Sequence, residues 1–239
     1  MEILKEKKVA ELVAENINSA HVFNKYGIDF CCGGGISLER ASEKYGVPLN
    51  QLCQDILENQ QDRQGQPAYN RWSLSFLADY IEMNHHAYVQ EAITLLDEYT
   101  AKVLRVHGET FPVLQEISEV YQSLRNELVQ HMMKEERILF PYIRSLEAAG
   151  LHHQNVPPSP FGTIQNPINM MESEHELAGE LTARIRELTM GYCAPDWACN
   201  TFKAMYHKLK EFENDLHIHI HLENNILFPK ALELESKPA

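Results

Sequence analysis

An eleven-residue pattern that occurs twice constrains this chain more than any other feature. Residues 131–141 and 219–229 both follow the pattern H-x-x-x-E-x-x-I-L-F-P, 88 positions apart (131 to 219). Residues four apart lie on one face of an α-helix, a turn or about 5–6 Å from each other. Each copy therefore predicts a helix that presents an imidazole and a carboxylate together, with Ile, Leu and Phe continuing on its buried side.

A histidine precedes each copy at nearly the same distance. His86 lies 45 residues before His131, and His175 lies 44 residues before His219. Apolar residues recur every three or four positions around all four histidines, which predicts amphipathic helices. The repeating unit is thus a pair of helices, and two antiparallel pairs make a four-helix bundle whose facing side chains can converge on a metal site.

The side chains that would converge are four imidazoles and two carboxylates: His86, His131, His175, His219, Glu135 and Glu223. An imidazole-rich set with two carboxylates suits iron, whereas zinc more commonly takes four ligands. We therefore predict two non-haem irons bridged by Glu135, Glu223 and an oxo or hydroxo group, with an open position for O2 or NO. The alternative, a surface i,i+4 pair worth about 0.2–0.5 kcal/mol, does not explain two copies of one extended motif.

Several neighbouring histidines leave the ligand assignment open. The apolar stripe slightly favours His85 over the adjacent His86, whereas the repeat distance favours His86, which we select. Histidine and isoleucine alternate from His217 to His221. Of these three histidines, only His219 lies four residues before the motif glutamate. We expect His217 and His221 to hydrogen-bond around the site or to face solvent.

Two further carboxylates are candidates for supporting roles. Glu127 lies one turn before His131, and Glu174 is adjacent to His175. Carboxylates next to metal ligands often hydrogen-bond the outer imidazole nitrogen. We predict that Glu127 and Glu174 either support the ligands in this way or line an access channel.

The predicted fold class is all-α, with a four-helix bundle at residues 71–235 preceded by a small all-helical domain at residues 1–62. Between them, residues 63–70 belong to a polar stretch with Gly and Pro, which is typical of a linker. Within the bundle, residues 150–167 contain four prolines and cannot form regular helix. A loop of this length is often a functional lid or a mobile connection.

The small domain contains a Cys31-Cys32-Gly33-Gly34-Gly35 turn between short helices. Glycines can adopt positive φ and expose successive backbone N–H groups, and a helix that begins near Ser37 would lower the pKa of the thiols. These features predict reactive or metal-binding cysteines. The alternative is that both thiols are small apolar fillers at a tight turn.

Charge and cysteine usage limit the class of protein. The formal net charge is −13, from 21 Lys and Arg against 34 Asp and Glu, and no dense basic block occurs, which argues against nucleic acid or anionic membrane partners. The charged N-terminus leads into no apolar run of signal-peptide length. Five cysteines, an odd number, indicate reduced thiols. We therefore expect a cytoplasmic protein.

Taken together, the motifs resemble those of hemerythrin-like domains. The combination of Phe30-Cys31-Cys32-Gly33-Gly34 with residues 131–136, 171–175 and 222–229 is similar to the repair of iron centres (RIC, YtfE/ScdA) di-iron proteins, over nearly the whole chain. This resemblance implies a cytoplasmic stress-response protein that restores iron–sulfur clusters after nitrosative or oxidative damage by supplying iron. It also implies that Cys31 and Cys32 act in thiol exchange or iron transfer to transient iron–sulfur client proteins.

The chain departs from the family pattern at three places: the third glycine of the turn, the extra histidines around His219, and the longer proline-rich loop. Two other functions stay open. The same centre could be an enzyme that reduces NO to N2O, or a hemerythrin-like carrier or sensor of O2 or NO. The sequence leaves the oligomeric state open, with a dimer as one option.

Overall fold

A computed structural model describes residues 2–59, 67–152 and 159–236, which form helices joined by turns. An isolated bridge between Lys8 and Ser37 is the nearest approach to β-structure among these residues, so the predicted all-α fold class is confirmed. None of the helices in these three ranges is long and apolar enough to cross a membrane. The chain divides into two compact units: the first comprises Met1–Ala78, Ile143–Ile164 and His217–Ala239, and the second comprises Asp79–Tyr142 and Gln165–Leu216.

Three π-helical segments interrupt the α-helices. In chain order the elements are α1 Glu2–Glu6, α2 Val9–Glu15, α3 Ser19–Lys25, α4 Leu38–Tyr45, α5 Leu49–Asn59, a 3-10 turn Tyr69–Arg71, α6 Leu74–Tyr80, π1 Ile81–His86, α7 Ala87–His107, α8 Val113–Lys134, π2 Glu135–Leu139, α9 Phe140–Leu151, α10 Gln165–Leu188, α11 Asn200–Leu222, π3 Glu223–Leu227 and α12 Phe228–Ser236.

The second unit contains α7, α8, α10 and most of α11, whereas the predicted bundle at residues 71–235 also includes residues of the first unit. Tyr121 of α8 donates its hydroxyl hydrogen bond to Asp97 of α7 at 2.9 Å. Between α10 and α11, the Arg186 guanidinium binds the buried carboxylate of Glu213 through two of its nitrogens. Because apolar residues face inward at spacings of three and four, these polar pairs lie at the margins of a continuous apolar core.

In the first unit, carboxylates of α9 and α12 accept hydrogen bonds from backbone N–H groups. Glu147 of α9 accepts the backbone N–H of Leu74 at 2.7 Å and of Ser75 at 2.9 Å, at the first turn of α6. Glu235 of α12 accepts the N–H of Ile164 at 3.0 Å, immediately before α10. A carboxylate at a helix N-terminus satisfies N–H groups that lack an intrahelical partner and complements the helix dipole.

The motif prolines do not end their helices. Pro141 is the second residue of α9, which continues to Leu151, and Pro229 is the second residue of α12. An interior proline clashes with the carbonyl four residues earlier. In both copies that carbonyl belongs to a wider i→i+5 turn, π2 or π3, where the ring can be accommodated.

Parts of two predicted segments lie outside the described residues: residues 63–66 of the linker and residues 153–158 of the proline-rich loop. The described remainder of the linker leads into the 3-10 turn Tyr69–Arg71. The division into domains at residues 62 and 71 stays a prediction.

Candidate metal centre

Four of the predicted ligands converge in the second unit. His86, His131, Glu135 and His175 are all at most 2% exposed. Glu135 Oε2 lies 3.4 Å from His86 Nε2 and 3.3 Å from His131 Nε2. The Nε2 atoms of His131 and His175 approach to 3.0 Å, and one candidate ligand atom from each of His131, Glu135 and His175 lies within 4.8 Å of the others. Three imidazoles and one carboxylate therefore point at the same small volume.

The π-helical segments place these ligands. His86 is the last residue of π1 and Glu135 is the first residue of π2. Single π turns inside α-helices are frequently found at functional sites, and the extra residue rotates the following side chains relative to those before it. Phe140, from the apolar tail of the motif, stacks on the His86 ring with centroids 5.8 Å apart and so supports that ligand from behind.

Outer carboxylates fix the orientation of two imidazoles. Glu136 Oε1 lies 2.8 Å from His86 Nδ1, and Glu174 Oε2 lies 2.9 Å from His131 Nδ1. A carboxylate accepts a hydrogen bond, so Nδ1 carries the proton in each ring. The Nε2 lone pair is then left to face Glu135, which is the tautomer that a metal-binding imidazole requires.

Glu174 is held in its ionised form. The hydrogen bond from His131 and a further ion pair with Lys134 lower the pKa of Glu174 to about 2, against the opposing effect of partial burial. Its negative charge is therefore present across the physiological pH range. Ionised Glu174 stabilises positive charge on His131, which suits an imidazole bound to a cation.

The donor set in the second unit fits a metal ion. The Glu135 carboxylate is 0% exposed, and the transfer of a carboxylate from water into an apolar interior is costly unless a cation or several hydrogen bonds compensate. The groups around it are imidazoles, and in His86 and His131 the outer ring nitrogen hydrogen-bonds a carboxylate. Nitrogen and carboxylate donors of this kind suit iron, zinc or manganese.

The second copy of the motif lies in the first unit. His219 and Glu223 are both 0% exposed, and His219 Nε2 lies 2.9 Å from Glu223 Oε1. Glu223 is the first residue of π3, the position that Glu135 has in π2. The pair thus repeats the His–Glu arrangement of the first copy.

The structure separates the two adjacent histidines of π1. His85 Nδ1 lies 3.0 Å from Asp215 Oδ1 of α11, and the His85 ring packs edge-on against Tyr80. His86 instead faces Glu135 and Glu136. This geometry supports the choice of His86 as the candidate ligand.

Neither His217 nor His221 of α11 is fully solvated. His221 is 0% exposed, and burial lowers its pKa to about 4. His217 is half-buried, with Nδ1 3.2 Å from Asn24 Oδ1. Both imidazoles pack edge-on against Phe30, with ring centroids 5.8 Å apart. They therefore face the segment that precedes the cysteines.

The predicted supporting carboxylates differ in their surroundings. Glu174 contacts a candidate ligand, whereas Glu127 is exposed on α8, and its supporting role stays a prediction. Sequence reasoning missed Glu136, which hydrogen-bonds His86. The signal for Glu136 was its position directly after Glu135, but adjacent carboxylates at a helix surface are common and carry little information alone.

The cysteine turn is built around Asp29. Asp29 Oδ1 accepts the N–H of Cys31 at 2.9 Å and of Cys32 at 3.1 Å, while Oδ2 accepts the N–H of Gly33 at 2.8 Å. Residues 33–35 do not have positive φ. The expectation of positive-φ glycines with exposed N–H groups is therefore wrong, because a side-chain carboxylate satisfies the N–H groups of this turn.

The predicted depression of thiol pKa is also wrong for Cys31. The pKa of Cys31 lies well above its ordinary value because of a hydrogen bond with Cys32, burial and the negative charge of Asp29. Helix α4 does begin where expected, with Ser37 as its N-cap. The hydrogen bond with Cys32 and burial are larger causes of this raised pKa than the Asp29 carboxylate. The functional role of Cys31 and Cys32 stays a prediction.

Residues that follow Glu223 contact the cysteine turn. Asn225 Nδ2 donates to the backbone carbonyl of Cys31 at 3.0 Å, and Asn224 Nδ2 lies 3.9 Å from Cys32 Sγ. Within the first unit, the turn is therefore packed against the segment that carries Glu223.

Comparisons with known proteins agree with this geometry. Residues 78–231 match the hemerythrin HHE cation binding domain, and residues 5–60 match ScdA_N, described as a domain of unknown function. The iron–sulfur cluster repair protein ScdA of Staphylococcus haemolyticus is 34% identical over 228 residues, which cover 95% of this chain and 99% of that protein. The iron–sulfur cluster repair proteins YtfE of Salmonella paratyphi B and Salmonella newport are 36% identical over 232 residues, 95% of this chain and 97% of each relative. The chain therefore belongs to the family of the iron–sulfur cluster repair proteins ScdA and YtfE and contains a hemerythrin HHE cation-binding domain.

Proposed function

We propose that this protein repairs iron–sulfur clusters damaged by nitrosative or oxidative stress in the cytoplasm, and that it does so by donating iron from a di-iron centre. The observation that carries the proposal is the buried cluster of His86, His131, Glu135 and His175, whose geometry suits a cation. The names of relatives that match almost end to end support iron–sulfur proteins as the clients.

The proposed ligand set joins the two copies of the motif. His86, His131 and His175 would be terminal ligands with His219, and the carboxylates Glu135 and Glu223 would bridge the two irons. The match to one cation-binding domain over residues 78–231 supports this assembly because it spans both copies. When bound, the irons would supply an exchangeable metal pool and open positions for O2 or NO.

The protein's own residues would control how firmly iron is held. Glu136 and Glu174 keep the protons of His86 and His131 on Nδ1, so that both Nε2 atoms stay available. Burial excludes water and competing ligands from Glu135. Cys31 and Cys32 would then receive iron or dock a client that binds only transiently.

The experiment that tests this proposal follows iron between two proteins. Purified protein loaded with iron is mixed with an apo iron–sulfur protein, the two are separated, and the iron content and optical spectrum of each are measured. We expect about two irons per chain before mixing and a gain of iron and of cluster absorption by the client afterwards. A His175→Ala, His219→Ala variant is the control and should donate none.

Other outcomes of the same experiment distinguish the alternative functions. Iron that stays bound while many equivalents of NO are converted to N2O would contradict donation and indicate a reductase. Iron that stays bound and forms a stable reversible O2 adduct would indicate a carrier or sensor.

A further inference from the structure

The two adjacent thiols have opposite surroundings. The Cys31 side chain is 6% exposed, and its S–H donates to Asp29 Oδ1 at 3.2 Å. Cys32 is half-buried, and the described residues show no hydrogen bond from its sulfur to Asp29. The groups near Cys32 Sγ are instead the Cys31 thiol, with which it shares a hydrogen bond, and the amide nitrogen of Asn224 at 3.9 Å. Cys31 thus faces a carboxylate acceptor, whereas Cys32 faces the other thiol and an amide donor.

Asp29 organises the turn as a whole. It accepts four hydrogen bonds, from three successive backbone N–H groups and one thiol. Glycine at position 33 makes this possible, because a Cβ there would lie 2.8 Å from Asp29 Oδ2. A single carboxylate therefore sets both the backbone path and the direction of the Cys31 side chain.

These surroundings favour different chemical states of the two sulfurs. A carboxylate next to a thiol disfavours the thiolate through charge repulsion. The pKa of Cys31 is raised well above its ordinary value first by the hydrogen bond with Cys32, then by burial, and also by the charge of Asp29. An amide N–H stabilises a neighbouring thiolate or a sulfur bonded to a metal. Partial exposure also gives Cys32 a path to solvent.

We propose that Asp29 is the positioning residue of the thiol pair: it holds Cys31 as a buried hydrogen-bond donor and leaves Cys32 as the sulfur that bonds first to an incoming Fe²⁺ ion. In that step the Cys32 S–H bond breaks, its proton passes to water, and a sulfur–iron bond forms with no change of oxidation state. The inference rests on the proposed function, which supplies the iron.

The experiment measures the alkylation of the two thiols in the full-length protein. A Cys193→Ser, Cys199→Ser background removes the exposed thiols outside the turn. The reduced protein is treated anaerobically with limiting iodoacetamide, and peptide fragmentation locates the label. We expect Cys32 to react at least about tenfold faster than Cys31, and Fe²⁺ to slow the labelling of Cys32. Equal rates, or a faster Cys31, would overturn the assignment.

The variant Asp29→Asn tests the role of the carboxylate. An asparagine can still accept from Cys31 and Cys32, but its NH2 group would face the Gly33 N–H and the negative charge is lost. We expect the alkylation rate of Cys31 to rise. The ratio of the Cys32 rate to the Cys31 rate should then fall to within about twofold. The control is Asp55→Asn, which removes a carboxylate in the same unit that binds Lys25 and Tyr26.

Thermal unfolding shows whether Asp29→Asn is folded, and an unchanged ratio in a folded variant would contradict the proposal. If the variant does not fold, the rates and the Fe²⁺ protection in the unsubstituted turn still decide it. Thiol labelling is also independent of repair. Selective labelling without iron transfer would refute the proposed function alone, and iron transfer without selectivity would refute this inference alone.

Discussion

The two copies of the H-x-x-x-E motif differ in the residues that follow the glutamate. In the first copy, Glu136 is charged and hydrogen-bonds His86. In the second copy, Asn224 and Asn225 are neutral amides that contact the cysteine turn. The comparison indicates that the first copy supports a candidate ligand, whereas the second copy also holds the N-terminal segment.

The Ile-Leu-Phe segments that end the two copies also differ in how deeply their isoleucines are buried. Ile226 of the second copy is 3% exposed, whereas Ile138 of the first copy is 50% exposed. The expectation that both tails are wholly buried is therefore wrong for Ile138. In the first unit, α2 packs against π3, the segment that contains Ile226. Identical residues in the two copies thus have different surroundings.

Replacement of either motif glutamate should have the largest effect of the substitutions proposed for the two copies, and the effect is a loss of bound iron. A glutamine cannot bridge two cations as a carboxylate does, so Glu135→Gln and Glu223→Gln should each lower the iron content by at least about half. Metal analysis of the purified variants measures this. Glu119→Gln, at an exposed carboxylate of α8 bound by Gln115, is the matched control. Full iron in Glu223→Gln alone would show that the copies are not equivalent ligands.

Removal of the residues after each glutamate should separate the two roles. Glu136→Ala leaves His86 Nδ1 without its acceptor and should weaken iron binding by about 10- to 100-fold. Asn225→Ala should change the iron affinity by no more than about twofold, because its contacts are the Cys31 carbonyl and His221. Chelator competition measures both affinities, and equal losses would contradict the division between the copies.

The same assay decides the role of Glu127. Its side chain is exposed, so Glu127→Ala should weaken iron binding less than Glu136→Ala does. A loss as large as that of Glu136→Ala would show that Glu127 supports the site in the iron-bound state.

Two glycines of the cysteine turn allow a test of stability, with a smaller expected effect than the losses of iron binding. A Cβ at Gly34 would lie 2.3 Å from the Phe30 carbonyl oxygen and 2.9 Å from Ala10 Cβ, whereas a Cβ at Gly35 would meet nothing within 4 Å. Gly34→Ala should therefore lower the free energy of unfolding by about 1–3 kcal/mol. Gly35→Ala should have little effect. Chemical denaturation of both variants measures the difference, and equal stabilities would contradict the close approach.

The sequence was sufficient for the all-α fold class and for the convergence of His86, His131, Glu135 and His175, because both depend on helical spacing. His131 and Glu135 share a helix face whatever the rest of the chain does, and a matched upstream histidine predicts a partner helix. Glu136 and Asp29 escaped prediction because each acts through a contact that spacing does not encode. For Asp29 a signal existed, since an aspartate followed by small residues often binds the backbone N–H groups two residues on.

The π turns could not be predicted for a related reason. An added residue in a helix changes the apolar period over only five or six positions, which ordinary sequence variation also does. Their positions coincide with the candidate ligands, because π1 ends at His86, and π2 and π3 begin at Glu135 and Glu223.

The smallest expected effect concerns the proline that follows each π turn. If the wide turn accommodates the ring without strain, proline mainly restricts the unfolded chain, and Pro141→Ala and Pro229→Ala should each cost only about 0.4–1 kcal/mol of stability. If the ring is strained, alanine should stabilise the protein instead, because proline in an ordinary helix interior costs about 3 kcal/mol. Denaturant unfolding of the two single variants measures the sign. Opposite signs would show that the copies differ in the π turn itself as well as in the residues packed around it.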